Sequence, residues 1–321
     1  MKISHIAASL CIALLASNSS YAQSYPDRPI RLIVPYAPGG SADIAARLIS
    51  DAWAKELGST LIIENRAGAG GNIGVDAVAK SASDGYTIGL QTVSLAINPA
   101  LFASMPYDTL KDLAPIGMIA SSQHVLVVNP KIDVSNLQDL IKKAKASPGK
   151  MNYGSAGVGS TFHMSAELFK SVADVTITHV PYRGGGPALV DTIGGQVDMS
   201  FPVISAAQQH VQGGKLKALA VTGEKRSSLL PDVPTAQEAG LKGYVFDTWF
   251  MVFAPAGTPA PVIQKLNATL NSALNNEAVK ARLVKEGFDP IPGTPESARS
   301  RLESEMPKWA TLIKERGITA D

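Results

Sequence analysis

Residues 30–57, IRLIVPYAPGGSADIAARLISDAWAKEL, decide the fold. An apolar run at 30–36 gives way to Gly39 and Gly40, and from Ser41 the apolar residues recur at helical spacing. The pattern predicts a strand, a glycine turn and a helix. Ser41 suits the N-cap, where its hydroxyl can accept a bond from an unpaired amide, and Asp43 suits the positive end of the helix dipole. Gly39 and Gly40 lack a Cβ, so a ligand can approach their backbone, and free amides at a helix start favour an anion. Alone, the motif also fits a capped connection without a ligand. Residues 151–172, MNYGSAGVGSTFHMSAELFKSV, repeat it, with Gly157 and Gly159 after a strand, Ser160 as N-cap, and Met164 and Leu168 on one helix face. Two anion-receptive turns in one chain imply a clamp.

The first 22 residues have a different pattern. Lys2 precedes an apolar run at 6–16, and Ser20-Tyr21-Ala22 has small residues at the first and third positions of a cleavage site. Residues 1–22 are therefore expected to be a signal peptide cut after Ala22, making the protein periplasmic. That run is too short for a mature spanning helix and no later segment is longer, so no direct membrane anchoring is expected. Cys11, the only cysteine, lies in the signal, which excludes disulfides and thiolate metal sites from the mature chain. Leu10 stands where a lipid-anchoring signal calls for a small residue. About 300 residues remain, enough for two domains of roughly 150 with a core each. A composition of 45% hydrophobic and 17% charged residues is that of a globular protein. A net charge of +2 without a basic cluster argues against nucleic acid.

Next along the chain, 60–64 reads as a strand and 66–81 as a glycine turn into a helix. Gly68, Gly70 and Gly74 imitate a dinucleotide fingerprint, but the spacing is GxGxxxG, and the strand at 86–92 ends without an acidic residue for a ribose. Tight turning and close helix packing account for these glycines, and no cofactor is expected. Residues 93–114 read as irregular and partly helical. The apolar run 116–129 is interrupted by polar residues at 121–124, where a first crossing between domains is expected. From 135 to 222 helices and strands alternate, which predicts a mostly parallel sheet covered on both faces. The return crossing is expected within 219–231, with a strand at 245–254 and helices at 259–275, 277–286 and 295–316 completing the first domain. The expectation is a two-lobed α/β fold, with domain 1 from 23–123 plus 226–321 and domain 2 from 124–225. Each lobe is expected to be a mostly parallel sheet flanked by helices, with two crossover segments at a hinge. Both glycine turns sit at strand carboxyl ends, where ligands of open α/β sheets bind.

Six segments in this order resemble the periplasmic solute receptors of the tripartite tricarboxylate transporter family, the Bug-type receptors: YPDRPIRLIVPYAPGGSADIAAR, ENRAGAGGNIGVDAVAKSASDGYT, NPALF, NYGSAGVGSTFHMSAELF, HVPYRGGGPALVDTIGGQVDMSF and LPDVPTAQEAG. The resemblance covers essentially the whole mature chain. It implies a monomeric periplasmic binding protein fold that closes on an organic acid and delivers it to the integral membrane components of an ion-driven transporter. It further implies that backbone amides and hydroxyls of the two turns, with ordered water, hold one carboxylate without an obligatory arginine. Carried onto this chain, the first turn contributes Tyr36, Ala37, Gly39, Gly40, Ser41, Ala42 and Asp43, and the second Gly157, Gly159, Ser160, Thr161 and His163; Asp198 is a further pocket position. Ala42 departs from the threonine common among relatives, which removes a hydroxyl.

His163 lies in a first helical turn, where the dipole keeps it neutral, and either packs or touches ligand. Arg183 either attracts an acid or ties loops together, and Asp198 either meets a ligand or orients amides. Specificity candidates are Val93, Ser94, Phe162, Val203 and Trp249, each also able to serve as core; they suit a flat or hydrophobic acid better than a hydroxylated one. An enzyme reading lacks support, because the chain has no GxSxG elbow, phosphate-loop lysine, HExxH or mature cysteine. A sensor that presents the acid to a membrane kinase would use the same clasp.

Overall fold

Ile30, Leu32, Ile33 and Val34 of β1 (Ile30–Val34) are buried, as an interior strand covered on both faces requires. The computed structural model describes residues 25–320, so the expected signal peptide and Cys11 lie outside the described residues. After β1, α1 (Ser41–Leu57) turns Ala42, Ala45, Ala46, Ile49, Trp53 and Leu57, three and four apart, onto the sheet. Gly58, in a left-handed conformation, ends it. Trp53 Nε1 donates to Thr269 of a later helix at 3.1 Å, which joins distant parts of the chain under the same sheet.

β2 (Leu61–Asn65) and β3 (Thr87–Thr92) flank β1 in parallel. Between them lie a 3-10 turn (Ala69–Gly71) and α2 (Asn72–Ala79), and α3 (Ser94–Leu101) follows β3. β4 (Leu113–Gln123) ends in the first sheet, and β5 (Val125–Val128) begins in the second with only His124 between them. The second lobe then continues with α4 (Leu137–Ala146), β6 (Asn152–Ser155), α5 (Thr161–Ala173), β7 (Thr178–Pro181), α6 (Gly185–Gly194), β8 (Met199–Ser200), α7 (Ile204–Gln212) and β9 (Lys217–Val221). β10 (Asp247–Pro255), α8 (Ala260–Asn275), α9 (Glu277–Lys285), β11 (Asp289–Pro290) and α10 (Pro295–Arg316) complete the chain. The two sheets run β11-β4-β10-β3-β1-β2 and β7-β6-β8-β5-β9.

The two-sheet α/β architecture is the one the sequence predicts, but both sheets are mixed rather than mostly parallel. β10 is antiparallel to β3 and β4, β5 is antiparallel to β8 and β9, and the edge strand β11 is antiparallel to β4. β5 and β10 are the strands that enter a lobe from the hinge. They must run away from the cleft, whereas β1, β3, β6 and β8 run toward it.

The return also differs from expectation. Residues 226–246, allotted to domain 1, lie against the second lobe: Val221 bridges to Thr235, and Leu229, Leu230 and Val233 join the cluster of Val125 and Val127. These apolar side chains need a core, and they find it there before the chain re-enters the first sheet at Asp247. α10 packs along α3 and reaches α5 of the other lobe. No helix of the described residues is long and apolar enough to cross a membrane.

Candidate functional site

α1, α5 and α6 all begin at the gap between the lobes. Two cavities there, of about 530 and 650 Å³, share Gly39, Gly40, Ser41, Thr161 and Gly185 and form one cleft. The first half is rich in hydroxyls, from Tyr36, Thr92, Ser94, Ser160 and Thr248. The second is walled by Ile44, Phe162, Leu189, Val190, Val203 and Phe288. Among the described residues no lysine or arginine lines either half.

Gly40, not Ser41, is the N-cap of α1, and no side chain caps it. Asp43, in the third helical position, reaches back instead: its Oδ2 accepts the Gly39 amide at 2.9 Å and Arg47 Nε at 2.9 Å, and its Oδ1 accepts Asn65 Nδ2 at 3.0 Å. Arg47, with the Gly39 amide and Asn65, holds the Asp43 carboxyl down to about 2. With the turn supported from behind, the Ser41 hydroxyl has no protein partner among the described residues. The amides of Ser41, Ala42 and Asp43 likewise have no acceptor there. Asp43 is buried and outside the cleft lining, which corrects its assignment to the ligand side. The Tyr36 hydroxyl is held against the wall, donating to Gln91 Oε1 at 2.6 Å and lying 2.9 Å from Thr92 Oγ1.

In the second turn Ser160 is the N-cap. Its Oγ accepts the His163 amide at 3.3 Å and donates to the Gly157 carbonyl at 2.7 Å. His163 Nδ1 accepts the Gly159 amide at 3.0 Å, which places the ring proton on Nε2. Burial, with His179 and Lys170 nearby, pushes His163 down to about 3. His163 faces away from the cleft, toward His179, Glu167 and Lys170, which decides for packing over ligand contact. Gly157 and Gly159 are outside the lining too: the Gly157 amide goes to Ser155 Oγ, and a Cβ on Gly159 (φ +72°) would overlap Leu101 of the first lobe. The amides of Thr161 and Phe162 remain without acceptors among the described residues.

The sequence reading missed a third helix start. α6 opens at Gly185 after Gly184, with no side-chain cap, and Gly184, Gly185 and Gly186 line the cleft. The signal was present in the Gly184–Gly186 run that follows β7 and opens α6, which has the strand-glycine-helix order of the other two turns. Gly185 must also be small, because a Cβ there would press on the Phe162 ring. Each helix start brings a partial positive charge, so the arrangement attracts an anion without a formal cation.

Residues 45–318 match the family described as the tripartite tricarboxylate transporter family receptor. The chain belongs to this family. Similar relatives include protein BugT of Bordetella pertussis, 41% identical over 92% of this chain and 91% of that protein. Among solved structures, Rpa4515 of Rhodopseudomonas palustris with adipate is 36% identical with a TM-score of 0.82, covering 92% of this chain and 99% of that one. MatC from the same organism with bound malate is 33% identical with a TM-score of 0.78, covering 90% and 100%. The family is one of periplasmic solute-binding receptors rather than enzymes, and its fold is that of two-lobed periplasmic binding proteins.

In this receptor the crossings meet at His124, the last residue of the polar stretch 121–124, whose side chain the sequence reading did not single out. Its backbone exchanges bonds with Thr222, its Nδ1 lies 2.8 Å from the Phe201 carbonyl and its Nε2 lies 2.8 Å from Thr248 Oγ1. A carbonyl can only accept, so Nδ1 carries the proton and Thr248 donates to Nε2. Burial pushes His124 down to about 4, which keeps it neutral. Its ring meets Phe162 edge-on at 5.9 Å and so links the hinge to the cleft wall.

Ala37, Ala42, Ser94 and Val203 also line the cleft. Asp198 does not: its carboxylate accepts the Asn152 amide at 2.8 Å and ties β6 to β8. Val93 and Trp249 are wholly buried, with Trp249 Nε1 donating to Glu305 at 2.9 Å. Arg183 is exposed and has no ion pair among the described residues.

Proposed function

We propose that this receptor clasps a small organic acid, a mono- or dicarboxylate, between its lobes and delivers it to the integral membrane components of a tripartite tricarboxylate transporter. The observation that carries the reading is the meeting of three helix N-termini, with no lysine or arginine among the described residues lining the cleft, beside a wall supplied with hydroxyls. One carboxylate fits this arrangement, held by the amides of Ser41, Ala42, Asp43, Thr161 and Phe162 and by the Ser41 and Thr161 hydroxyls. The adipate and malate carried by the two solved relatives support an acid ligand. Because the ligand bridges turns on both lobes, binding couples to closure about His124. Export by cleavage after Ala22 puts the receptor in the periplasm, where it acts as a monomer.

Heating the purified protein with a panel of carboxylic acids and their esters tests the reading. An acid at a hundred times its dissociation constant adds about 2.7 kcal/mol, a rise of roughly 5 °C in Tm, and its ester adds none. An ester that stabilises as well as its acid overturns the carboxylate clamp. Loss of uptake of the stabilising acid in a deletion strain is the expected outcome for delivery; unchanged uptake overturns it.

A further inference from the structure

The cleft is divided by chemistry. The three helix starts stand at the boundary, with Gly39, Gly40, Ser41, Thr161 and Gly185 common to both halves; the hydroxyls of Tyr36, Thr92, Ser94, Ser160 and Thr248 lie on one side of them, and Phe162, Leu189, Val190, Val203 and Phe288 wall the other. Val190 is 65% exposed on that wall, an apolar side chain left for something to cover. No lysine or arginine lines the apolar half among the described residues; its titratable groups are His210 and Glu286, the latter an exposed carboxylate.

We infer that the acid taken by this cleft is a monocarboxylate with an apolar body, a ring or a medium-length chain, and that a second carboxylate is disfavoured. The inference rests on the carboxylate-clamp reading and goes beyond it by naming the class. A first carboxylate placed at the helix starts is neutralised by three partial positive ends. A second one in the apolar half would lose its hydration against Phe162 and Val203 with no cation to offset the loss, and would share the cavity with Glu286. A methylene or aromatic edge in the same place is removed from water and gains affinity. The expected preference is opposite to the dicarboxylates carried by Rpa4515 and MatC.

Calorimetric titration with matched pairs tests this: hexanoate against adipate, and benzoate against terephthalate. The monocarboxylate of each pair is expected to bind at least tenfold more tightly. Val190→Arg, at an exposed helix position that folding does not need, supplies the missing cation and is expected to reverse the preference. Ser41→Ala is expected to weaken both members of a pair by the same factor. A dicarboxylate that binds as tightly as its partner overturns the inference and leaves the clamp standing. A dicarboxylate released from the denatured purified protein and identified by mass spectrometry does the same. If no acid binds, or Ser41→Ala alters neither member, the clamp fails and the inference fails with it.

Discussion

The two glycine turns have one grammar and two chemistries. In each, a glycine of positive φ, Gly39 or Gly159, donates its amide to the side chain four residues on, in the third helical position. In the first turn that side chain is the carboxylate of Asp43, held ionised by Arg47. In the second it is the neutral ring of His163, set among Tyr153, His179 and Glu167. The serines differ as well. Ser160 spends its hydroxyl on capping its own turn, whereas Ser41, one position further into its helix, keeps its hydroxyl free for the cleft. Because Asp43 provides the support in the first turn, its serine hydroxyl is left without a protein partner at the cleft among the described residues.

The largest effect that would sharpen this comparison is steric. Gly159→Ala adds left-handed strain and an overlap with Leu101, together about 3 kcal/mol of destabilisation by urea unfolding. Gly39→Ala meets nothing within 4 Å and carries only the strain, about 1 kcal/mol. Equal losses would break the contrast.

The next effect separates the serines. Ser41→Ala is expected to weaken acid binding about tenfold with little change in Tm, since it removes one bond to a charged group. Ser160→Ala is expected to lower stability by about 1 kcal/mol through the lost cap, with the smaller change in affinity. Titration and thermal unfolding of both variants distinguish the two.

The smallest effect is electrostatic. His163 and His124 are neutral when folded and titrate near 6.5 when unfolded, so the unfolded chain binds more protons below that pH. Stability is therefore lost as pH falls below 6.5, through to about 3 for His163 and about 4 for His124. Between pH 7 and 6 the loss is about 0.7 kcal/mol per histidine. Asp43 has the same sign in a lower window: its contribution is present above 3.8 and is lost as pH falls toward 2. Urea unfolding at pH 7, 6 and 5 should show a shallower decline in His163→Asn and an unchanged one in Asp43→Asn.

Local pattern made the two-lobed α/β class legible, because strand-glycine-helix units announce themselves within about thirty residues. It also pointed to Ser41, Thr161, Phe162 and Val203, which follow such turns or a strand end and do line the cleft. It could not separate Asp43 and His163 from their neighbours. A residue in the third helical position can face the ligand or fold back on the turn, and the choice depends on partners such as Arg47, Asn65 and His179. Nor could local pattern choose for Asp198 between meeting a ligand and orienting amides: the pocket position implied by the resemblance fails, and the amide it orients, that of Asn152, lies 46 residues away.

The sequence alone determined that the chain builds α/β units with anion-receptive helix starts, since capping, glycine conformation and hydrophobic period act within a few residues. Only the tertiary structure decided that three such starts share one cleft, that His124 ties the crossings to its wall, and that the segment before β10 belongs against the second lobe. Those outcomes depend on long-range pairing and on which apolar surfaces remain to be buried, and neither is encoded within a single turn.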